Sequence, residues 1–193
     1  MADSTSTFLR HPIPPLYDEN SRILILGSFP SPKSREAQFF YGHPQNRFWK
    51  VMAQLLNWQG KPAAGEGPQG FRGSAAGEGP QSFRVPSTVE EKRAMLLSNH
   101  VAVWDTIASC EIVGASDASI TNVTPNDLSP ILRTAEIRAI FCNGAASHKL
   151  YMKYIFPRTG REAGKLPSTS PANAAWSVDR LSAAWQVILP YLK

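Results

Sequence analysis

The stretch RILILGSFPSPKSREAQFFYGHPQNRFWKVM, residues 22–52, decides how the chain is read. Ile23-Leu24-Ile25-Leu26 is short, continuous and apolar, the composition of a strand buried on both faces of a parallel sheet. Gly27 ends the run, and Ser28-Phe29-Pro30-Ser31-Pro32 follows as a loop at the strand's carboxyl end. In open α/β sheets ligands bind at that edge, where diverging loops leave a crevice. The loop fits neither G-x-G-x-x-G nor G-x-x-x-x-G-K-[ST], so the residues point to neither a dinucleotide nor a nucleoside triphosphate. Further on, Phe39-Phe40-Tyr41-Gly42-His43-Pro44-Gln45-Asn46-Arg47-Phe48-Trp49 crowds aromatic, amide and basic groups together. Aromatic faces beside Arg and Asn suit a flat ligand with polar edges, such as a nucleobase.

Working outward, Phe48, Val51, Met52, Leu55 and Leu56 recur at helical spacing behind Asn46, which stands at the expected N-cap. Residues 1–21 are polar and rich in proline and read as an extended lead-in to the first strand. Residues 60–84 read as a flexible Gly/Pro-rich insertion, because AAGEGPQGFR at 63–72 is nearly repeated at 75–84. Ser87-Thr88-Val89-Glu90 fits a capping box before a helix reaching about Ser98. Val101 to Trp104 is a second strand, Ile137 to Cys142 a third and Lys165-Leu166 a short fourth. Residues 106–125 read as irregular, Asn126 to Leu132 as a short helix, and Val178, Leu181, Trp185, Ile188 and Leu189 as the inner face of the last helix. Strands alternating with helices imply one α/β domain over residues 1–193, a three-layer αβα sandwich on a mainly parallel four-stranded sheet. Three loops, at 27–46, 143–148 and 166–173, then open on one edge of that sheet.

At 193 residues and 42% apolar content the chain can bury one good core, and a net charge of +5 favours polyanionic partners. Cys110 and Cys142 lack metal-ligand spacing and read as free thiols of a reducing compartment. No stretch approaches the ~20 apolar residues of a membrane span. The expectation is a cytoplasmic protein, a monomer, with no metal and no cofactor.

The motifs G-S-F-P-S (27–31), F-Y-G-H-P-x-N-R-F-W (40–49) and L-P-S-T-S-P-A-N (166–173) resemble those of the uracil-DNA glycosylase superfamily. Within it the likeness is to the hypoxanthine (deoxyinosine) DNA glycosylases, and it runs from Arg22 to Leu192 apart from residues 60–84. The resemblance implies sheet order 2-1-3-4 and a base-excising enzyme. The enzyme reads as monofunctional, because no lysine inside the motifs suits a Schiff base, and as cofactor-free, because no Cys/His metal set appears. Its substrate would be DNA carrying a flipped, deaminated base: hypoxanthine first, uracil or a thymine mispair as the alternative. A member of the same fold that binds DNA without catalysis is the other reading, kept open by two departures. The first motif holds no carboxylate or amide, and Leu166 stands where several branches carry a histidine.

The resemblance points to Asn46 as the catalytic amide, its carbonyl orienting water or its NH2 holding the base edge; the residues alone also suit a helix cap. Gly27 and Ser28, with the backbone of Phe29, are the candidates for binding a base carbonyl, and Phe29 and Phe40 for stacking. Asn143 sits where the superfamily places a base-reading amide. Arg47, Lys165, Pro167, Ser168, Thr169 and Ser170 are the expected DNA contacts, hydroxyls and free amides suiting phosphate. Asp105 and Asp127 read as loop braces or caps.

Overall fold

The computed structural model describes residues 6–60, 83–114 and 116–193. In chain order its strands and helices are β1 (Thr7–Arg10), β2 (Ile23–Gly27), α1 (Pro32–Glu36), α2 (Phe48–Leu55), α3 (Val89–Leu97), β3 (Val101–Asp105), β4 (Ile107–Ile112) and β5 (Thr121–Pro125). They continue with α4 (Ser129–Thr134), β6 (Ala139–Asn143), α5 (Ala145–Tyr154), α6 (Phe156–Thr159), β7 (Ala163–Leu166) and α7 (Val178–Trp185), which runs into a 3₁₀ turn at Gln186–Leu192. Most of the insertion expected at 60–84 lies outside the described residues.

The central sheet runs β3-β2-β6-β7, every pairing parallel, which in chain order is 2-1-3-4. Successive side chains of a strand face opposite ways, so each strand feeds two cores. Ile23 and Ile25 join Val101, Val103 and Phe141 on one face, beneath Phe48, Met52, Met95 and Trp185 of the helices. Leu24 and Leu26 join Ala102, Ile140 and Cys142 on the other, beneath Ile131 and Tyr151. All four apolar residues of β2 are fully buried, which explains their uninterrupted run.

The lead-in and the span 106–125 differ from their sequence reading. Both contribute to a second, antiparallel sheet in the order β1-β4-β5, with Phe8 opposite Glu111 and Ile107 opposite Pro125. The IASCEI run of β4 is weakly apolar, and its partner β1 lies about a hundred residues away, so pairing rather than local propensity makes it a strand. Only Thr106 separates β3 from β4. The Gly27 carbonyl accepts from Thr106 N at 2.9 Å, Thr106 Oγ1 at 2.9 Å and Ser147 Oγ at 2.9 Å. Asn126 braces the same bend, donating from Nδ2 to the Asp105 carbonyl at 2.9 Å and the Ile107 carbonyl at 3.1 Å. The bend leaves Asp105 at the carboxyl edge of the first sheet and carries β4 over it.

Candidate functional site

The loops at the carboxyl edge enclose a cavity of about 330 Å³, at the small end of the ~300–1,000 Å³ usual for ligand sites. Its walls come from the β2–α1 loop, the loop before α2, the β4–β5 connection, the end of β6 and the loop after β7. Phe29 and Phe40 supply aromatic wall and are otherwise buried, with 8% and 2% of their surface exposed. Phe29 meets the edge of the His11 ring at 5.9 Å and carries the Arg35 guanidinium 6.0 Å over its own ring. Ser28 Oγ donates to Asp117 Oδ2 at 2.6 Å, tying the first motif to the β4–β5 connection.

Asn46 lies in the wall one residue ahead of Arg47, the N-cap of α2, not at the cap itself. Its Oδ1 nevertheless accepts the first helical N–H, that of Phe48, at 3.0 Å. That bond assigns the amide's oxygen and leaves Nδ2 with no hydrogen-bond partner among the described residues. One lone pair and two N–H groups of Asn46 therefore remain for a ligand or water.

Arg47 is half-buried, and its guanidinium engages carbonyls of the loop after β7. Its Nε donates to the Thr169 carbonyl at 3.3 Å, Nη1 to Trp176 O, and Nη2 to Ser170 O and, at 3.1 Å, to Asn173 O. Four of its five N–H groups thus hold the loop after β7, a use that the expected DNA-contacting role did not include. Asn143 grips the same loop, donating from Nδ2 to Thr169 Oγ1 at 2.9 Å and accepting Thr169 N–H on Oδ1 at 3.0 Å. Close approach needs a glycine next to Asn143. A Cβ on Gly144, whose φ is +103°, would lie 2.9 Å from the Ser168 Cβ. Ser168, Thr169 and Ser170 line the cavity; Thr169 is fully buried. Pro167 and Lys165 do not reach it: the Pro167 carbonyl accepts from Trp185 Nε1 at 3.0 Å, and Lys165 is exposed on β7.

The cavity floor holds groups that the motifs do not single out. Asp105 is only 5% exposed, and its Oδ2 accepts from His11 Nε2 at 2.8 Å. His11 Nδ1 in turn accepts the Ile13 N–H at 3.2 Å, which places the imidazole's proton on Nε2. Asp105 thus holds His11 and also lines the cavity. Beside it the Tyr41 hydroxyl is buried without a hydrogen-bond partner among the described residues. Burial, and next the Asp105 carboxylate, push the Tyr41 phenol far up, against an opposing effect of the nearby Asn143 amide, so it stays a donor. Asp105 shows in the sequence only as a carboxylate closing an apolar strand, and His11 carries no signal of its role.

A model of the uracil DNA glycosylase superfamily matches residues 14–193, nearly the whole described fold. The chain belongs to that superfamily. Its relatives include proteins named hypoxanthine DNA glycosylase from two archaea. That of Methanosarcina acetivorans is 29% identical over 181 residues, covering 93% of this chain and 98% of its own. That of Methanosarcina barkeri is 30% identical over 161 residues, covering 83% and 85%. The solution NMR structure of a candidate uracil DNA glycosylase from M. acetivorans superposes with a TM-score of 0.68 at 28% identity. The superposition covers 96% of this chain and 99% of that one. Superfamily membership gives the sheet-edge cavity its context: a base-sized chamber between loops of a DNA-handling fold.

Proposed function

We propose that the protein is a monofunctional DNA glycosylase that hydrolyses the N-glycosidic bond of a deaminated base, hypoxanthine in deoxyinosine foremost. Asn46 carries the reading, as an amide anchored through one lone pair to α2 with its remaining hydrogen-bonding capacity on the cavity wall. The names of the archaeal relatives support the choice of base.

The chemistry follows from the wall. The target nucleotide leaves the stack and enters the cavity, at a cost of a few kcal/mol. Phe29 and Phe40 meet the faces of the base. As the glycosidic bond lengthens, positive charge builds on the sugar and negative charge on the base. Asn46 orients the water that attacks the anomeric carbon, accepting from it on the free lone pair, and the proton this water sheds after attack ends on the released base. So dissociative a transition state needs a positioned water more than a strong base, and an amide suffices. Backbone N–H groups of the Ser28–Phe29 loop receive the charge growing on the base. No lysine lines the cavity among the described residues, so water, not an amine, is the nucleophile. The loop of Ser168 and Ser170, fixed through the buried Thr169 by Arg47 and Asn143, meets the DNA backbone beside the extruded nucleotide.

Single-turnover excision from duplexes containing hypoxanthine, uracil, xanthine or a thymine mispair tests this. Wild-type protein should release hypoxanthine fastest. Asn46→Ala should lower that rate ~100-fold, about 3 kcal/mol of transition-state stabilisation, while the lost bond to Phe48 costs about 1 kcal/mol of stability. A wild-type protein that releases none of these bases overturns the function. A full rate per folded molecule in Asn46→Ala, with only the melting temperature lowered, reduces Asn46 to a helix brace.

A further inference from the structure

We infer that Asp105 and Tyr41 together form the base-reading floor of the cavity, a hydrogen-bond acceptor beside a donor that recognises the lactam edge created by deamination. The inference rests on the glycosylase reading above and assigns the group that selects the base. Deamination inverts one edge of the base. Adenine presents N1 as an acceptor and its 6-amino group as a donor; hypoxanthine presents N1–H as a donor and O6 as an acceptor. Cytosine and uracil differ in the same way at N3 and C4. A site that tells the deaminated base from its parent needs a fixed acceptor for the N–H and a fixed donor for the carbonyl.

The floor of the cavity holds that pair in a preset state. Asp105 is polarised by its neighbours: Oδ2 takes the His11 Nε2–H, and Oδ1 accepts from no described residue. His11 cannot offer its other nitrogen, because Nδ1 already accepts from Ile13. The carboxylate is thereby held in one orientation with one oxygen left over. Tyr41 supplies the donor. Its φ of 51° lies in the left-handed region, an unusual conformation for a bulky residue. Its ring stacks on Phe48 with centroids 3.9 Å apart and an interplanar angle of 23°. Strained backbone and stacked ring together hold Tyr41 in the cavity wall, its hydroxyl without a hydrogen-bond partner among the described residues. The two groups meet at Gly27: a Cβ built there would lie 2.1 Å from Asp105 Oδ1 and 3.6 Å from Tyr41 Oη. Asn143 is less available, since both polar atoms of its amide are turned to Thr169.

A buried hydroxyl without a partner is a liability in the free protein. That property gives the test a signature that a structural role would not produce. Tyr41→Phe should melt at the same temperature as wild type or higher, because it removes an unsatisfied group, yet it should slow hypoxanthine release roughly tenfold or more. The substrate half of the test is a duplex carrying unsubstituted purine, which lacks both the N1–H and O6. Wild type should favour hypoxanthine over purine; Tyr41→Phe should lose most of that preference by slowing hypoxanthine alone. Asp105→Asn keeps an oxygen for His11 but turns an NH2 toward the base, and should reverse the preference toward purine and adenine. Unchanged hypoxanthine-to-purine ratios in both variants, with wild type active, overturn the reading pair and leave the glycosylase standing. Wild-type protein that releases neither base overturns both.

Discussion

Gly27 is defined by what stands where its side chain would be. A Cβ there would lie 2.1 Å from Asp105 Oδ1, and that oxygen cannot swing aside freely because the other end of the carboxylate is bonded to His11. Replacing Gly27 with Ala should therefore cost about 1–3 kcal/mol of stability, the usual penalty of overpacking. It should also tilt the carboxylate away from the base. The expected outcome is a folded protein, melting several degrees lower, with hypoxanthine release reduced roughly tenfold or more. Thermal melting and single-turnover excision measure the two effects separately. Full activity in a destabilised variant would mean that the strand yields and the carboxylate keeps its place. No property of the sequence run Ile23–Gly27 announces this contact, since a glycine after an apolar strand reads equally well as the start of a turn.

Helix α3 shows an element whose boundary is written in its first residues. Thr88 Oγ1 accepts the Glu91 N–H at 3.2 Å, and Glu91 reaches back to the Ser87 N–H at 2.8 Å and to Arg84. The cap is thus Thr88, with Glu91 three residues on returning to Ser87, one residue on from the Ser87–Glu90 register that the sequence suggested. Led by the Ser87 backbone bond, these contacts hold the Glu91 carboxyl down from its ordinary 4.5 to about 2. A carboxyl with a depressed folded-state value stabilises above its unfolded value and loses that contribution as the pH falls through the folded one. The start of α3 should therefore stay ordered at pH 5 and fray between about pH 4.5 and 2. Amide exchange at Glu91 and Lys92 should report this, and Glu91→Gln should remove the dependence. Unchanged protection across that range would count against it. The same elements explain what was legible. Three strands of the central sheet, β2, β3 and β6, betray themselves by composition, because burial demands apolar residues, whereas β7 shows only its Lys165-Leu166 end. β4 and β5 do not betray themselves, because β4 pairs with the distant β1 as well as with β5, and β5 is mostly exposed. The motif loops located the cavity, since Asn46, Phe29, Phe40 and Ser168 all stand in its wall. Its floor stayed hidden, because His11 meets Asp105 only through the second sheet, across 94 residues of chain.

Across the whole molecule the question is which positive charges face DNA. The chain carries a net charge of +5, but a formal charge acts on phosphate only where its donors are free. Arg47 lies in the most distinctive motif, yet four of its N–H groups face carbonyls of Thr169, Ser170, Asn173 and Trp176. Arg161 likewise donates to the Ile137 carbonyl. Lys165, by contrast, is exposed and meets no carboxylate in any ion pair among the described residues. Each phosphate contact contributes about 0.9 to the slope of log affinity against log salt, through released counterions. Lys165→Ala should flatten the slope for duplex binding by about that amount, with a modest loss of affinity. Arg47→Ala should weaken binding and slow base release by loosening the loop of Ser168 to Trp176, while the slope stays at its wild-type value. Titrations of an undamaged duplex at a series of salt concentrations separate the two effects, because a positioning residue changes the height of the line and a phosphate contact changes its gradient. A slope that falls in Arg47→Ala and not in Lys165→Ala would return Arg47 to the DNA surface, and would require the guanidinium to leave its carbonyl cage when DNA binds.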